Sequence, residues 1–325
     1  MKTFEPLNRG YQHVFQPNQL SIGVVVPIEN YAMDPVPSMQ NHLQRVQLVE
    51  ELGYKAIWIR DVPLHVPTFG DAGQTYDPFT YLGYLAAATK TIGLGVASIA
   101  LPLHHPMHVA KSAATIDQLS GGRLLLGVAS GDRPQEYPAM GIGFQSRGER
   151  FRDAFDYIRA AADSYPVHNS TFFGELTGQH DILPKPTASR IPMLITGNSR
   201  QSMDWIAAKG DGWMFYPQHA QQQAYTIARW RRMVQDSQEF DQPFMQPLYV
   251  DLHKNDDFRP QPIHLGFRAG ANYLLEYFQQ LKDVGVNHVA INLRFNGAAI
   301  EETLERLAEK ILPYFHTTQK EQTTI

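Results

Sequence analysis

Residues 92–130 read IGLGVASIALPLHHPMHVAKSAATIDQLSGGRLLLGVAS. An apolar run, Ile92 to Ser98, breaks at prolines. From Pro106 the pattern turns helical, and Gly121 stops it. A second apolar run follows from Leu124 to Ser130. Proline suits the first helical position, where its missing amide costs no bond, and glycine suits the position just past a helix end. Both runs are continuously apolar, as in strands covered on both faces. Two such strands joined by a helix form a βαβ unit, whose strands lie parallel.

The same unit recurs along the chain. Ile22 to Val26 is a first strand, and a helix beginning near Ser38 carries Leu43, Val46, Val49 and Leu52 on one face before Gly53. Ala56 to Arg60 is a second strand, followed by an Asp77 N-cap, Pro78 and a helix to about Thr89. After the unit quoted above, Ser146-Arg147-Gly148-Glu149 has the capping-box pattern and opens a helix toward Asp163. Pro192 to Thr196 is the fifth strand, with a helix ending near Lys209-Gly210. GWMFY (212–216), PLYVDL (247–252) and HVAINL (288–293) are the last three, with helices near 220–238, 271–284 and 298–311. Eight strand–helix pairs predict an α/β fold that closes as a (β/α)8 TIM barrel; an open doubly wound sheet has the same alternation. Connections before strands are tight, as in GYK and GGR. Those after strands 2, 4 and 7 are long: 61–76, 131–145 and about 252–269. Barrels carry function on that side. Residues 166–191, with several prolines and NSTFFGELTG, read as a hairpin excursion before strand 5. The expectation is one domain over 1–325 with a frayed end, TTQKEQTTI.

Composition narrows the function. A net charge of −4 supplies no basic surplus for nucleic acid or an anionic membrane. The absence of cysteine excludes disulfides and thiolate metal sites. No apolar run approaches the roughly 18 residues of a transmembrane helix. The opening MKTFEPLNRG lacks the apolar core of a signal peptide, so the expected location is cytoplasmic. His104, His105 and His108 cluster near one helix start without a carboxylate at companion spacing, so no metal site is expected. Trp58, Trp213, Phe215, Tyr216, Tyr249 and Phe295 are core or pocket wall. Glu29, Asp251, His253, Asn292 and Arg294 stand near strand ends, as site groups or as partners of loop backbone.

The fifth strand runs into ITGNSRQSMDW (195–205). Gly197 permits a tight turn, and Asn198 and Ser199 are N-cap types. The first amides of a helix lack internal partners and favour an anion. A phosphate fits there, with Ser199 and Ser202 hydroxyls as donors; plain capping explains the same residues.

The pieces LGVASIALP with HP after it, DQLSGGR, GVASGD…EYPAMG and ITGNSRQSMDW…KGDGW fall in one order between about Ile22 and Leu293. In that order the chain resembles the luciferase-like monooxygenase family of flavin-dependent barrel enzymes. The resemblance implies FMN, or the deazaflavin F420, at the C-terminal mouth, with its phosphate at Gly197, Asn198, Ser199 and Ser202. It implies a non-prolyl cis peptide at Ala97-Ser98 against the flavin ring. It also implies that the turn at Ser130 approaches the cofactor, with Tyr137 in the same pocket. Where the family's luciferases place an arginine on the phosphate this chain has Ser130, leaving Arg133 or Arg200 as substitutes. After strand 2 those enzymes carry a Glu-His-His cluster; here RDVPLH offers Asp61 and His65 as the catalytic acid–base groups. The implied activity is oxidation of a small organic substrate by O2 with reduced FMN from a separate flavin reductase, in a chain that forms a homodimer. An F420-dependent hydride-transfer enzyme and a non-catalytic flavin-binding protein are the alternatives.

Overall fold

Eight parallel strands close on themselves in the computed structural model, which describes residues 3–69 and 72–316. The strands are Ser21–Val25, Ala56–Ile59, Gly93–Ala100, Leu124–Ala129, Met193–Thr196, Trp213–Met214, Phe244–Leu252 and His288–Asn292. Each pairs in parallel with the next, and His288–Asn292 pairs with Ser21–Val25 to complete the ring. The architecture is therefore the (β/α)8 barrel and not an open sheet. The C-terminal segment 317–325 expected to fray lies outside the described residues.

Alternation along each strand divides the core. Ile57 and Ile59 pack outward under the helices, while Ala56 and Trp58 point inward with Val25, Leu125, Leu194, Met214 and Met245. That inner cluster continues into Phe4, Leu7, Tyr11, Val14 and Phe15. The N-terminal segment thus plugs the barrel floor through a short helix, Arg9–Val14. Asn8 fixes its entry, donating to Asp117 Oδ1 at 2.8 Å and to the Leu124 carbonyl at 2.7 Å. Gly10 passes so near the GGR turn that a Cβ there would lie 2.6 Å from the Arg123 carbonyl oxygen.

One polar chain crosses the barrel interior. Trp58 Nε1 donates to His288 Nε2 at 2.8 Å, and His288 Nδ1 lies 2.6 Å from Ser21 Oγ. Ser21 Oγ donates in turn to the Val14 carbonyl at 2.6 Å. The indole can only donate, so Nε2 accepts and the ring proton sits on Nδ1. Burial pushes His288 down to about 3, so the ring is neutral.

The helices at Pro78 and Pro106 follow their caps, the one expected near Ser38 begins at His42 behind a left-handed Asn41, and two further starts are exceptions. Thr80 N donates to Asp77 Oδ1 at 2.8 Å, and Gly121 adopts φ 67° beyond Pro106–Ser120. The capping box at Ser146–Glu149 does not form. A 3-10 turn, Phe144–Ser146, leads into Arg147–Ala160 and holds Ser146 in the helical region, where its hydroxyl donates to the Gly143 carbonyl at 2.9 Å. The second exception lies after the fifth strand and is described below. The excursion before that strand is an antiparallel hairpin, Val167–Ser170 with Gly174–Thr177. A further hairpin, Gln261–Ile263 with Gly266–Ala269, rises in the loop after the seventh strand. Tyr249 pairs with Gly266 on one edge and Asn292 on the other. The hairpin therefore takes the edge that the two-residue sixth strand leaves, and raises the barrel wall there.

Three histidines sit neutral against the fold: His288, His316 (to about 4), which accepts from Ile22 N at 3.0 Å, and His13 (to about 4), each lowered first by burial. Their folded pKa values lie below the unfolded one. The stability they permit is complete above about pH 6.5 and is lost as pH falls toward their folded values. Thermal unfolding is expected to show a midpoint that drops steadily from pH 6.5 to pH 4, with proton uptake on unfolding at pH 5. A midpoint flat across that range contradicts the burial of these rings.

Candidate active site

The polar residues gather at the C-terminal ends of the strands. Asp61 leaves the second strand with its side chain 2% exposed. A buried carboxylate needs donors, and Oδ2 receives two: Ala100 N at 3.0 Å and His104 Nε2 at 2.7 Å. Burial alone would lower the His104 pKa. The hydrogen bond and charge of Asp61, with Asp77 and Glu136 farther off, outweigh it and raise the imidazole above its ordinary value. His65 stands exposed in the loop and makes no such pair among the described residues. His105 instead caps the next helix, its Nδ1 accepting from Met107 N at 3.3 Å, with the His108 ring 5.9 Å away. Among the described residues no group of three or more metal-ligating side chains occurs.

The Ala97-Ser98 peptide is cis. The register between the third and fourth strands shifts across it, between Val96 and Ile99. The Ser98 hydroxyl bonds the Thr196 hydroxyl, and Thr196 Oγ1 donates to Met214 Sδ at 3.2 Å. Side chains thus tie the ends of strands 3, 5 and 6 together above strand 4. Gly127 makes room below: a Cβ would lie 2.1 Å from the Val96 oxygen.

Ser130 is buried at the end of the fourth strand, and its carbonyl accepts from the Tyr137 hydroxyl. Tyr137 is fully buried, pushed up to about 12 by burial, and edge-on to Phe144 at 5.0 Å. It stands behind the turn and props it. Gly131, at φ 71°, has no room for a side chain, because its Cβ would meet the Tyr137 hydroxyl at 2.6 Å. Arg133, a suggested phosphate partner, is instead over the Phe69 ring at 4.3 Å and 3.7 Å from Glu136.

The turn after strand 5 departs from expectation. Gly197, Ser199 and Arg200 all have positive φ, at 55°, 43° and 60°. Left-handed Ser199 and Arg200 interrupt helical geometry and the helix begins only at Met203, so Asn198 and Ser199 are not its cap. The helix is Met203–Lys209, and Ser202 caps it, accepting from Trp205 N at 3.3 Å. The Ser199 hydroxyl donates to the Thr196 carbonyl at 2.7 Å, so its proton is held by backbone. The Ser202 proton is not used by its cap. The amides of Asn198, Ser199 and Arg200 meet no acceptor among the described residues, whereas Gly197 N donates to the Met214 carbonyl at 2.7 Å. Successive amides in such a turn form a concave anion-binding nest. Gln201 secures it, donating to the Gly148 carbonyl at 2.8 Å, and Trp213 Nε1 donates to the Gly197 carbonyl at 2.8 Å.

Aromatic rings wall the rest of the mouth. Tyr216 is half exposed, and a Cβ added at Gly197 would lie 3.9 Å from its ring. Tyr249, His264 of the raised hairpin and Phe295 have ring centroids 5.3 to 6.4 Å apart. Other polar residues at strand ends serve loop backbone. Glu29 accepts from Ser38 N at 2.5 Å, Asp251 from Gly297 N at 3.0 Å, Asn292 from Arg294 N at 2.9 Å and His253 from Asn255 N at 3.1 Å.

A family model described as luciferase-like monooxygenase matches residues 20–257. Pyrimidine monooxygenase RutA of Allorhizobium ampelinum is 30% identical over 197 residues, which cover 59% of this chain and 48% of that protein. The chain spans between 47% and 66% of the length of the first curated relatives it matches. An F420-dependent secondary alcohol dehydrogenase, solved with an F420–acetone adduct, superposes with a TM-score of 0.74 at 16% identity, covering 92% of this chain and 100% of that one. The oxygenating constituent of 3,6-diketocamphane monooxygenase from Pseudomonas putida, solved with FMN, gives 0.72 at 12% identity, covering 92% and 100%. At these identities the solved structures bear on the fold alone. No helix of the described residues is long and apolar enough to cross a membrane.

The Ser130–Tyr137 bond gives a direct test of the mouth's geometry. Tyr137→Phe leaves the buried Ser130 carbonyl without its donor, at an expected cost of about 1–3 kcal/mol in urea unfolding. Unchanged stability would show that the hydroxyl does not support the turn.

Proposed function

The chain belongs to the luciferase-like monooxygenase family, and from that premise we propose that it is a flavin-dependent monooxygenase, using reduced FMN and O2 on a small organic substrate. One observation carries the reading: an unbroken arc of polar contacts across the mouth. It runs from His104 and Asp61 to Ala100 N, past the cis Ala97-Ser98 peptide, across the Ser98–Thr196 hydroxyl pair and into the open amides at 198–200.

The donor set fits a phosphomonoester. Three amides without acceptors, the Ser202 hydroxyl proton and the exposed Arg200 side chain converge on one turn, and Arg200 supplies the charge absent at Ser130. Gly197 brings the chain close without a side chain. Beyond the phosphate, Ala97 and Ser98 offer a flat backbone surface to the ring, and Tyr216 and Tyr249 supply apolar walls that exclude water. When bound, reduced FMN would supply the electrons that activate O2. The chain itself grips the phosphate, orients the ring and keeps the pocket dry. No dinucleotide-binding glycine motif lies between a strand and a helix, which supports delivery of reduced FMN by a separate reductase.

A second reading is hydride transfer with F420, since the same fold also houses an F420-dependent alcohol dehydrogenase. Both cofactors carry a phosphate, so the turn accommodates either. Anaerobic titration separates them. The expected result is saturable binding of one reduced FMN per chain. Ser202→Gly keeps a serviceable helix cap but removes the hydroxyl, and should weaken binding by about 1.5–3 kcal/mol. Tight binding of F420 with none of FMN selects the second reading. Binding of FMN without reductase-dependent turnover on any substrate marks a non-catalytic flavin protein, and binding of neither cofactor overturns the proposal.

A further inference from the structure

Asp61 and His104 are 43 residues apart in sequence, and the barrel brings them to 2.7 Å. Asp61 is enclosed, while His104 keeps a quarter of its side chain exposed. The ring uses Nε2 toward Asp61, and Nδ1 has no hydrogen-bond partner among the described residues. Among the described residues, the acidic groups that act on the imidazole come from three elements: Asp61 after the second strand, Asp77 at the cap of Pro78–Ala88, and Glu136 in the short helix Glu136–Ala139. Burial opposes the imidazolium and Arg133 lies 3.7 Å from Glu136, but the hydrogen bond and charge of Asp61, with the other two carboxyl groups, outweigh the burial. Asp61 is also anchored by Ala100 N, two residues past the cis peptide, so the pair is held at the same edge of the mouth as the ring surface. His65, four residues beyond Asp61, is exposed and has no carboxylate partner among the described residues.

We propose that His104 is the proton donor of this site and Asp61 its positioning residue. The proposal deepens the oxidoreductase reading above and rests on it. The imidazolium gives the Nδ1 proton to an oxygen of the bound reactants and becomes neutral. It keeps the Nε2 proton and the bond to Asp61. Water returns the proton to Nδ1 at the end of the cycle. Charge and atoms balance, and no oxidant beyond the O2 of that reading is required. Asp61 holds the ring in one orientation throughout, since Oδ2 bonds both the ring and the backbone of the third strand.

The test has two arms. In the first, side-chain NMR of the cofactor-free chain, with His104→Gln for assignment, follows the His104 ring through a pH titration. The ring should titrate above the ordinary histidine value, and Asp61→Asn should move its midpoint to lower pH. In the second, His104→Gln should lower turnover by about a hundredfold or more, with reduced FMN still bound within about twofold of the parent affinity. The activity of the parent should fall as pH rises through the His104 midpoint, that limb should move to lower pH in Asp61→Asn, and it should vanish in His104→Gln. A His104 midpoint at or below the ordinary value overturns the proposal. So does unchanged turnover in His104→Gln, or a loss that follows His65→Gln instead. If reduced FMN fails to bind, the flavin reading falls on that result, while the first arm still decides the Asp61–His104 pair.

Discussion

Residues in left-handed backbone after the fifth strand delay the start of a helix, and the site depends on that delay. Gly197, Ser199 and Arg200 turn the chain away from helical geometry until Ser202. The intervening amides are therefore neither in a ladder nor in a helix, and they meet no acceptor among the described residues. Such a turn would be unstable alone. Gln201 and Trp213 fasten it to the neighbouring backbone, and Ser199 bonds the strand it leaves. Gly148 lets it seat against the preceding helix, because a Cβ there would lie 2.8 Å from Arg200 Cβ. The structure thus supports a conformation that most residues resist.

The two ends of the barrel are unlike for a physical reason. The floor is filled by apolar side chains of the N-terminal segment and sealed by the Trp58–His288–Ser21 chain, which leaves no titrating charge inside. At the mouth the buried polar groups are bonded in pairs that keep one side open. Asp61 is enclosed but His104 is not; Ser199 is enclosed but Asn198 is exposed. A reaction that needs a dry pocket and a supply of protons is served by such half-buried pairs.

The barrel was legible because each βα unit carries its own punctuation. Asp77-Pro78 and Gly121 mark helix ends through local geometry alone, and the hairpin before strand 5 follows from NSTFFGELTG. The six-residue floor helix was not legible, since one and a half turns are too few to show a period. The raised hairpin at Gln261–Ala269 depends on the shortness of the sixth strand, which sequence does not disclose. Ser146 and Ser199 have cap chemistry, but their backbone conformations are set by the 3-10 turn and the left-handed residues beside them. The approach of His104 to Asp61 requires the register of strands 2 and 3, which the sequence does not disclose, whereas Asp61 and His65 stand together in RDVPLH. For the turn after strand 5, the polar residues were visible in the sequence, but the left-handed backbone and the hydrogen bonds that set their orientation were not.

The most direct measurement is the crystal structure of the chain with FMN bound. The account predicts phosphate density within hydrogen-bond distance of the amides of Asn198 to Arg200 and of Ser202 Oγ, with the ring lying on the Ala97-Ser98 peptide. An empty turn at 197–202, with FMN lodged elsewhere or absent at saturating concentration, would contradict it.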